Sequence, residues 1–268
     1  MIHQEPEQTA GRIAVVTGAG SGVGEAIART LASQGVTVAL LGRTEAKLAP
    51  VRRAIQAGGG QAELFVCDVS DPDQAASTAA AILAQFGQAQ ILVNNAGLHC
   101  ELLPIAETTP TNWMQTLAVN VVGPYLMSRA LLAGMVEHGW GRIINVSSAA
   151  SLGQPTNIGS IYQLSKVTLN YFTRQLAVEV DGTGVTANAI HPGEVQTEMW
   201  AAIKADAEGR TGEGRNALQW ANMVEESGGD PPQKAADLVL RMLGPDYENV
   251  NGQFLWIEDG IKAPMPSW

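Results

Sequence analysis

Apolar residues fall along this chain in short unbroken runs, separated by longer stretches with helical period. The runs Arg12–Thr17, Val36–Leu41, Glu63–Cys67, Gln90–Val93, Arg142–Val146, Val185–Ile190 and Gln253–Ile257 predict seven strands. Between them, Val23–Ser33, Glu45–Ala57, Pro72–Phe86, Thr111–His138, Ser160–Val180 and Pro231–Leu243 predict helices. Pro72 suits a first helical turn, and Gly58-Gly59-Gly60 suits a helix end. The strand runs are continuous rather than alternating, as in strands covered on both faces. Strand and helix in strict alternation imply parallel pairing through right-handed crossovers. The expectation is a single doubly wound α/β domain over residues 1–268, with a parallel sheet of about seven strands and helices on both faces.

One segment breaks the rhythm. Residues 194–230 are rich in glycine and charge, yet carry Met199, Trp200, Trp220 and Met223. A long insertion at the C-terminal edge of a parallel sheet sits where ligands bind. The segment is therefore expected to be a substrate-covering loop. The bland alternative is a surface excursion with a small core of its own.

Composition narrows the classes. Apolar residues make up 46% of the 268 and charged ones 16%, which suits a globular core. A formal charge of −10 disfavours nucleic acid as a partner. Cys67 and Cys100 are the only cysteines, too few for a disulfide framework or a four-thiolate metal site, and the histidines are scattered, so no metal is expected. The polar, acidic start lacks a secretory pattern, and no stretch is read as a membrane span. The expected location is cytoplasmic, with no membrane partner.

The first strand runs into Thr17-Gly18-Ala19-Gly20-Ser21-Gly22-Val23-Gly24 and then a helix. Glycines let the backbone approach a pyrophosphate, and the helix N-terminus offers free N–H groups and a positive dipole end. Strand before and helix after are the context a Rossmann-type dinucleotide loop requires. The spacing T-G-x-x-x-G-x-G resembles the short-chain dehydrogenase/reductase family, in its compact, non-extended subgroup. Other elements carry the same resemblance in the family's order from about Gly11 to Gly260. They are Asn94-Asn95-Ala96-Gly97 after the fourth strand, Asn120 in a V-N-V context, Tyr162-x-x-x-Lys166, and Pro192-Gly193-Glu194-Val195-Gln196-Thr197 after the sixth strand.

Tyr162 and Lys166 stand four apart on a helix and so share a face. A phenol titrates near ~10, too high for efficient proton exchange at neutral pH. An ammonium about 4 Å away contributes roughly 4 kcal/mol at an effective dielectric of ~20, enough to bring the phenol toward neutrality if desolvation is small. Alone, the pair reads more readily as a surface tyrosine and a solvated lysine.

The resemblance implies an oxidoreductase. It moves a hydride between a nicotinamide cofactor and a small carbonyl or alcohol. Tyr162 handles the proton, Lys166 also holds the nicotinamide ribose, and Asn120 holds a water linking Lys166 to solvent. A serine at the end of the fifth strand polarises the carbonyl. Ser148 lies 14 residues before Tyr162 and Ser147 lies 15, one more for Ser148 than the family's usual spacing. Ser148 is chosen, with Ser147 and then Ser151 behind it. The same resemblance places Gly18, Gly20, Ser21, Gly22, Val23 and Gly24 around the pyrophosphate. It puts Asn95, Ala96, Gly97, Pro192, Gly193, Val195 and Thr197 along the cofactor, and Asp68 and Val69 beside the adenine. His99 either lines the substrate pocket or faces solvent.

NAD-preferring relatives carry an acid at the end of strand two to grip the ribose 2′-hydroxyl. Here Gly42 stands in that place, followed by Arg43 and Thr44. A guanidinium can bind a 2′-phosphate through paired hydrogen bonds. NADP(H) is therefore favoured over NAD(H), although Arg43 could instead stack on adenine or lie in water. The two tryptophans in 194–230 favour a hydrophobic ketone, alcohol or 3-oxoacyl group. The resemblance implies a dimer or tetramer built on the helices Thr111–His138 and Ser160–Val180 and on the tail Lys262–Trp268. Two other classes compete: a catalytically weak nucleotide-sensing regulator, and an epimerase or dehydratase. The first commonly lacks the tyrosine or lysine, and the second carries a different glycine spacing.

Overall fold

The structure is a computed structural model that describes residues 9–258 and 260–264. Seven strands form the parallel body of one sheet: β1 (Ile13–Thr17), β2 (Thr37–Gly42), β3 (Gln61–Val66), β4 (Ile91–Asn94), β5 (Gly141–Val146), β6 (Val185–His191) and β7 (Gln253–Trp256). An eighth, β8 (Gly260–Pro264), adds antiparallel to β7 at the edge. The spatial order is β3-β2-β1-β4-β5-β6-β7-β8. The order reverses between β1 and β4, so their C-terminal ends open a crevice.

Alternation along each buried strand divides the core between two helical layers. Ala14, Val16, Val38 and Leu40 face α1 (Gly22–Ser33), α2 (Glu45–Ala57) and α9 (Pro232–Arg241). Val15, Ala39, Leu41 and Leu92 face α3 (Pro72–Phe86), α5 (Gly123–Glu137) and α6 (Ser160–Glu179). Both layers are apolar, which is why the strands read as unbroken hydrophobic runs. Asp71 caps α3 by accepting from the N–H groups of Asp73 and Gln74, with Pro72 in the first turn.

Two expectations change. The long helix expected over Thr111–His138 is three pieces: α4 (Pro110–Leu117), a π-helical segment at Ala118–Val122, and α5. By length and composition alone this run, Pro110–Glu137, is long and apolar enough to cross a membrane. In the fold α5 packs on α3 and on strands β4 and β5. Residues 194–230 are also not a loop. They fold into α7 (Glu198–Ala207) and α8 (Glu213–Ser227), packed on each other. The Trp200 indole donates to the Ala221 carbonyl at 3.3 Å across that pair. Of the tail Lys262–Trp268, the end 265–268, including Trp268, lies outside the described residues.

Candidate active site

The glycine loop between β1 and α1 is built for close approach. Gly18 and Gly22 have φ of +64° and +57°, which L side chains rarely adopt. A Cβ on Gly24 would sit 2.3 Å from the Gly18 carbonyl oxygen, so this glycine lets α1 pack under the loop. Thr17 fixes the opposite wall. Its hydroxyl accepts from the N–H groups of Asn95 and Ala96, both at 3.0 Å. The Asn95 amide donates back to the carbonyls of Thr17 and Gly18 at 3.0 and 3.2 Å.

A cavity of about 690 Å³ runs from this loop across the C-terminal ends of the strands. Gly18, Ser21, Gly22 and Val23 line it, with Arg43, Asp68, Val69, Asn95, Ala96, Gly97, Pro192, Gly193, Val195 and Thr197. Ser148, Tyr162 and Lys166 line it too, as does His99. Four expected residues do not reach it. Gly24 packs as described, and a Cβ on Gly20 would meet the Lys47 Cβ at 2.9 Å. Thr44 is the residue before α2 and exposed. Asn120 is fully buried behind the wall.

The Asn120 side chain is committed to the scaffold. Its Oδ1 accepts from the Leu98 N–H at 2.7 Å, and its Nδ2 donates to the Leu98 carbonyl at 2.9 Å and to Ser165 Oγ at 3.0 Å. The π turn swings it onto the segment that follows Gly97. The adjacent serines part company in the same way. Ser147 Oγ donates to Asn170 Oδ1 at 2.7 Å in the interior, and Asn170 donates to Ser151 Oγ at 2.8 Å. Both alternatives to Ser148 are thus tied to Asn170. Ser148 lines the cavity with Tyr162, and its hydroxyl accepts from the Ala150 N–H at 3.2 Å. The extra residue between Ser148 and Tyr162 is taken up in the loop before α6, where Gly159 has φ +64°.

Lys166 Nζ donates to the Val146 carbonyl at 2.9 Å and lies 5.8 Å from the centre of the Tyr162 ring. Electrostatics here correct the sequence estimate. Burial pushes the phenol up to about 12, only partly countered by the neighbouring Ser148 hydroxyl, and the Glu194 charge raises it further. Burial also brings the Lys166 amine down to about 8. Desolvation outweighs the Coulomb gain because both groups are buried and the amine is engaged with the Val146 carbonyl.

Some side chains that shape the pocket, His191 and Asp206 among them, were not singled out from sequence. His191, at the end of β6, Glu194 and Trp220 all line the cavity. Asp206 of α7 accepts from the Leu102 N–H at 2.6 Å, clamping the segment that follows β4 to α7. His99 lies against Tyr162 with ring centroids 5.3 Å apart. Burial holds His99 near about 4, so it is neutral. Glu194 was visible only inside the Pro192–Thr197 motif, and spacing gave no reason to single it out.

The switch-point crevice, the glycine loop and the serine–tyrosine–lysine group define a dinucleotide-dependent oxidoreductase. Residues 12–208 match the family model described as short chain dehydrogenase, and the chain belongs to that family. It is 35% identical over 255 residues to a galactitol 2-dehydrogenase (L-tagatose-forming) of Cereibacter sphaeroides, covering 94% of this chain and 96% of that protein. A metagenomic short-chain oxidoreductase solved with NADP superposes with a TM-score of 0.72 at 33% identity, covering 88% and 91% of the two chains. An NAD+-bound xylitol dehydrogenase gives 0.84 at 26% identity, covering 93% and 98%.

Proposed function

We propose that this oxidoreductase interconverts a small carbonyl compound and its alcohol, with Tyr162 exchanging the proton and Ser148 hydrogen-bonding the reacting oxygen. The observation that carries this reading is that Ser148, Tyr162 and Lys166 line one cavity continuous with the glycine loop. The residues present fit a nicotinamide dinucleotide, since a Cβ on Gly18 would close the floor at 2.9 Å from the Asn95 amide. When bound, that cofactor supplies or accepts the hydride. Gly18, Ser21, Gly22 and Thr197 would hold its pyrophosphate, and Lys166 its ribose.

In reduction, Ser148 and Tyr162 donate hydrogen bonds to the carbonyl oxygen, and Tyr162 gives up its proton as the alkoxide forms. A phenol raised to about 12 keeps that proton at neutral pH. Lys166, protonated at neutral pH with a value of about 8, offsets the phenolate left behind. Asn120 holds Leu98, and through it the wall beside Gly97. Leu102, Ile158, Met199, Trp200 and Ile203 give the substrate end an apolar wall, with α7 and α8 as its cover. Relatives named for galactitol and xylitol support a small alcohol or ketone as substrate.

Solved relatives bind NADP and NAD. NADP(H) is the preferred form here because Arg43 lines the cavity and Gly42 leaves no acid beside it. The assembly is a homodimer or tetramer. Its support is the apolar surface on the helices: Met114, Val122, Tyr125, Leu164, Tyr171 and Val178 are all exposed. The test of the chemistry is Tyr162→Phe. It should lower turnover at least ~10²-fold with cofactor binding retained. Near wild-type kcat in that variant would sink the proposal.

A further inference from the structure

Next to Tyr162 the cavity contains a polar pair that the proton chemistry does not use. Glu194 follows Gly193, whose φ of +87° turns the chain sharply off the end of β6. Asp230 holds the backbone at Glu194 from both sides. Its carboxylate accepts from the Glu194 N–H at 2.9 Å, and its own N–H donates to the Glu194 carbonyl at 2.9 Å. The Glu194 side chain is then fixed from α8, because the Trp220 indole donates to Oε2 at 2.9 Å. Oε1 points toward His191 Nε2 at 4.0 Å.

The protonation of His191 follows from its other nitrogen. Nδ1 lies 3.2 Å from the Ala149 N–H, a group that can only donate, so Nδ1 is the acceptor. Burial holds the ring near about 4, so it is neutral at pH 7 and its one proton is on Nε2. The ring cannot swing away, since it packs edge-on against Trp256 with centroids 4.8 Å apart. An acceptor and a donor therefore face each other across a gap too long for a hydrogen bond of their own.

One small group fits both. We infer that Glu194 and His191 form a clip for a substrate hydroxyl, so that this site takes hydroxylated carbonyl compounds, α-hydroxy ketones and the matching diols. A hydroxyl oxygen about 2.8 Å from each partner bridges a gap of this width. It donates to the carboxylate and accepts from the imidazole N–H. An ammonium could satisfy only the carboxylate, and a carboxylate or phosphate only the imidazole. The fixed negative charge also disfavours anionic substrates. Both partners are held by groups outside the cavity, so little rotamer freedom is lost on binding. The inference rests on the carbonyl chemistry proposed above.

The test compares 3-hydroxy-2-butanone with 2-butanone as substrates, with NADPH and with NADH. These ketones differ by one hydroxyl beside the reacting carbon. Wild type should favour the hydroxy ketone by about 10-fold or more in kcat/KM, the scale of one charged hydrogen bond. Glu194→Gln keeps the shape. Its amide oxygen takes the Trp220 proton, leaving an NH2 to face the His191 N–H, so the clip has two donors and no acceptor. That variant should reduce the ratio at least about fivefold, and His191→Phe, which keeps the packing on Trp256, should do the same. Thermal melts establish that each variant folds. A wild-type ratio near one, or a ratio unchanged in both folded variants, overturns the clip. Tyr162→Phe separates the two failures. If it abolishes reduction of both ketones while the ratio ignores Glu194, the clip falls and the proton chemistry stands. If it leaves turnover intact, the proton chemistry falls.

Discussion

Ser147 and Asn170 share a buried hydrogen bond of 2.7 Å, and this bond turns one of two adjacent serines into scaffold. Ser148, the next residue, is left to line the cavity with Tyr162. The two serines should therefore fail differently. Ser147→Ala orphans a buried amide oxygen, which costs about 1–3 kcal/mol of stability. Ser148→Ala should leave the melting point nearly unchanged and lower kcat by ~10²-fold or more. Denaturation curves and steady-state kinetics on both variants check this. A larger kcat loss in Ser147→Ala would move the chemistry to that residue.

Lys166 illustrates stability given up at an active site. Its amine falls from 10.5 to about 8 because burial penalises the charge. That difference corresponds to roughly 3 kcal/mol against the folded state at pH 7. The sign follows from proton counts. Below about 8 both folded and unfolded chains hold the proton, so this residue adds no pH dependence there. Between about 8 and 10.5 only the unfolded chain holds it, so stability rises with pH. Lys166→Met should thus be at least as stable as wild type at pH 7 while losing most activity. Its stability advantage should shrink as pH rises from 8 toward 10. Urea titrations across that range decide it, and a Met variant markedly less stable at pH 7 would count against the argument.

The sheet was legible in the sequence because both faces are covered, so each strand is an apolar run bounded by polar turns. β8 was not legible: five residues beginning with glycine and ending with proline carry no such run. The helices α7 and α8 were hidden by Gly209, Gly212 and Gly214, which read as loop but sit at the turn between them and at the start of α8. The motifs placed Tyr162 and Lys166 correctly in one cavity. They could not separate Ser147 from Ser148, since Asn170 lies 23 residues away in sequence. Nor could they show the phenol raised, because Coulomb attraction follows from spacing whereas desolvation follows from packing.

Arg43 is the test of cofactor choice. It lines the cavity near Asp68 and Val69 and is exposed. A charged hydrogen bond to a 2′-phosphate is worth about 1.5–3 kcal/mol, or roughly 10- to 150-fold. Arg43→Ala should lower kcat/KM for NADPH on that scale and leave NADH within a few-fold. Measured with both cofactors, an intrinsic preference for NADH in wild type would end the assignment.

The proposed assembly would use the exposed apolar surface of α6 and its neighbours. Tyr171 is 56% and Val178 74% exposed on α6, high values for such side chains. A charge in the middle of a self-complementary patch is doubled by symmetry. Light scattering at micromolar concentration should give a dimer or tetramer mass for wild type and a lower mass for Val178→Asp. A wild-type monomer would refute the assembly.

Asp206 links the cover to the site floor. Its Oδ2 accepts from the Leu102 N–H at 2.6 Å, while Oδ1 pairs with Arg210 at 2.5 Å on the same helix. Those contacts hold its carboxyl below the usual aspartate value despite partial burial. The carboxylate is therefore charged at neutral pH, and a charged hydrogen bond is among the stronger single contacts available to it. Leu102 belongs to the apolar wall, and its segment begins at Leu98, which Asn120 pins from the other side. The segment from Leu98 to Leu102 is thus clamped at both ends, and His99, which packs on Tyr162, lies between the clamps. Asp206→Ala would free one end. Because the phenol and Ser148 stay in place, the loss should fall on substrate binding: KM should rise about 10-fold while kcat changes less. The contact should also be insensitive to pH from 6 to 9, since the lowered carboxyl stays ionised throughout. Steady-state kinetics over that range measure both quantities, and a fall in kcat with KM unchanged would show that Asp206 supports the reacting groups rather than the substrate wall.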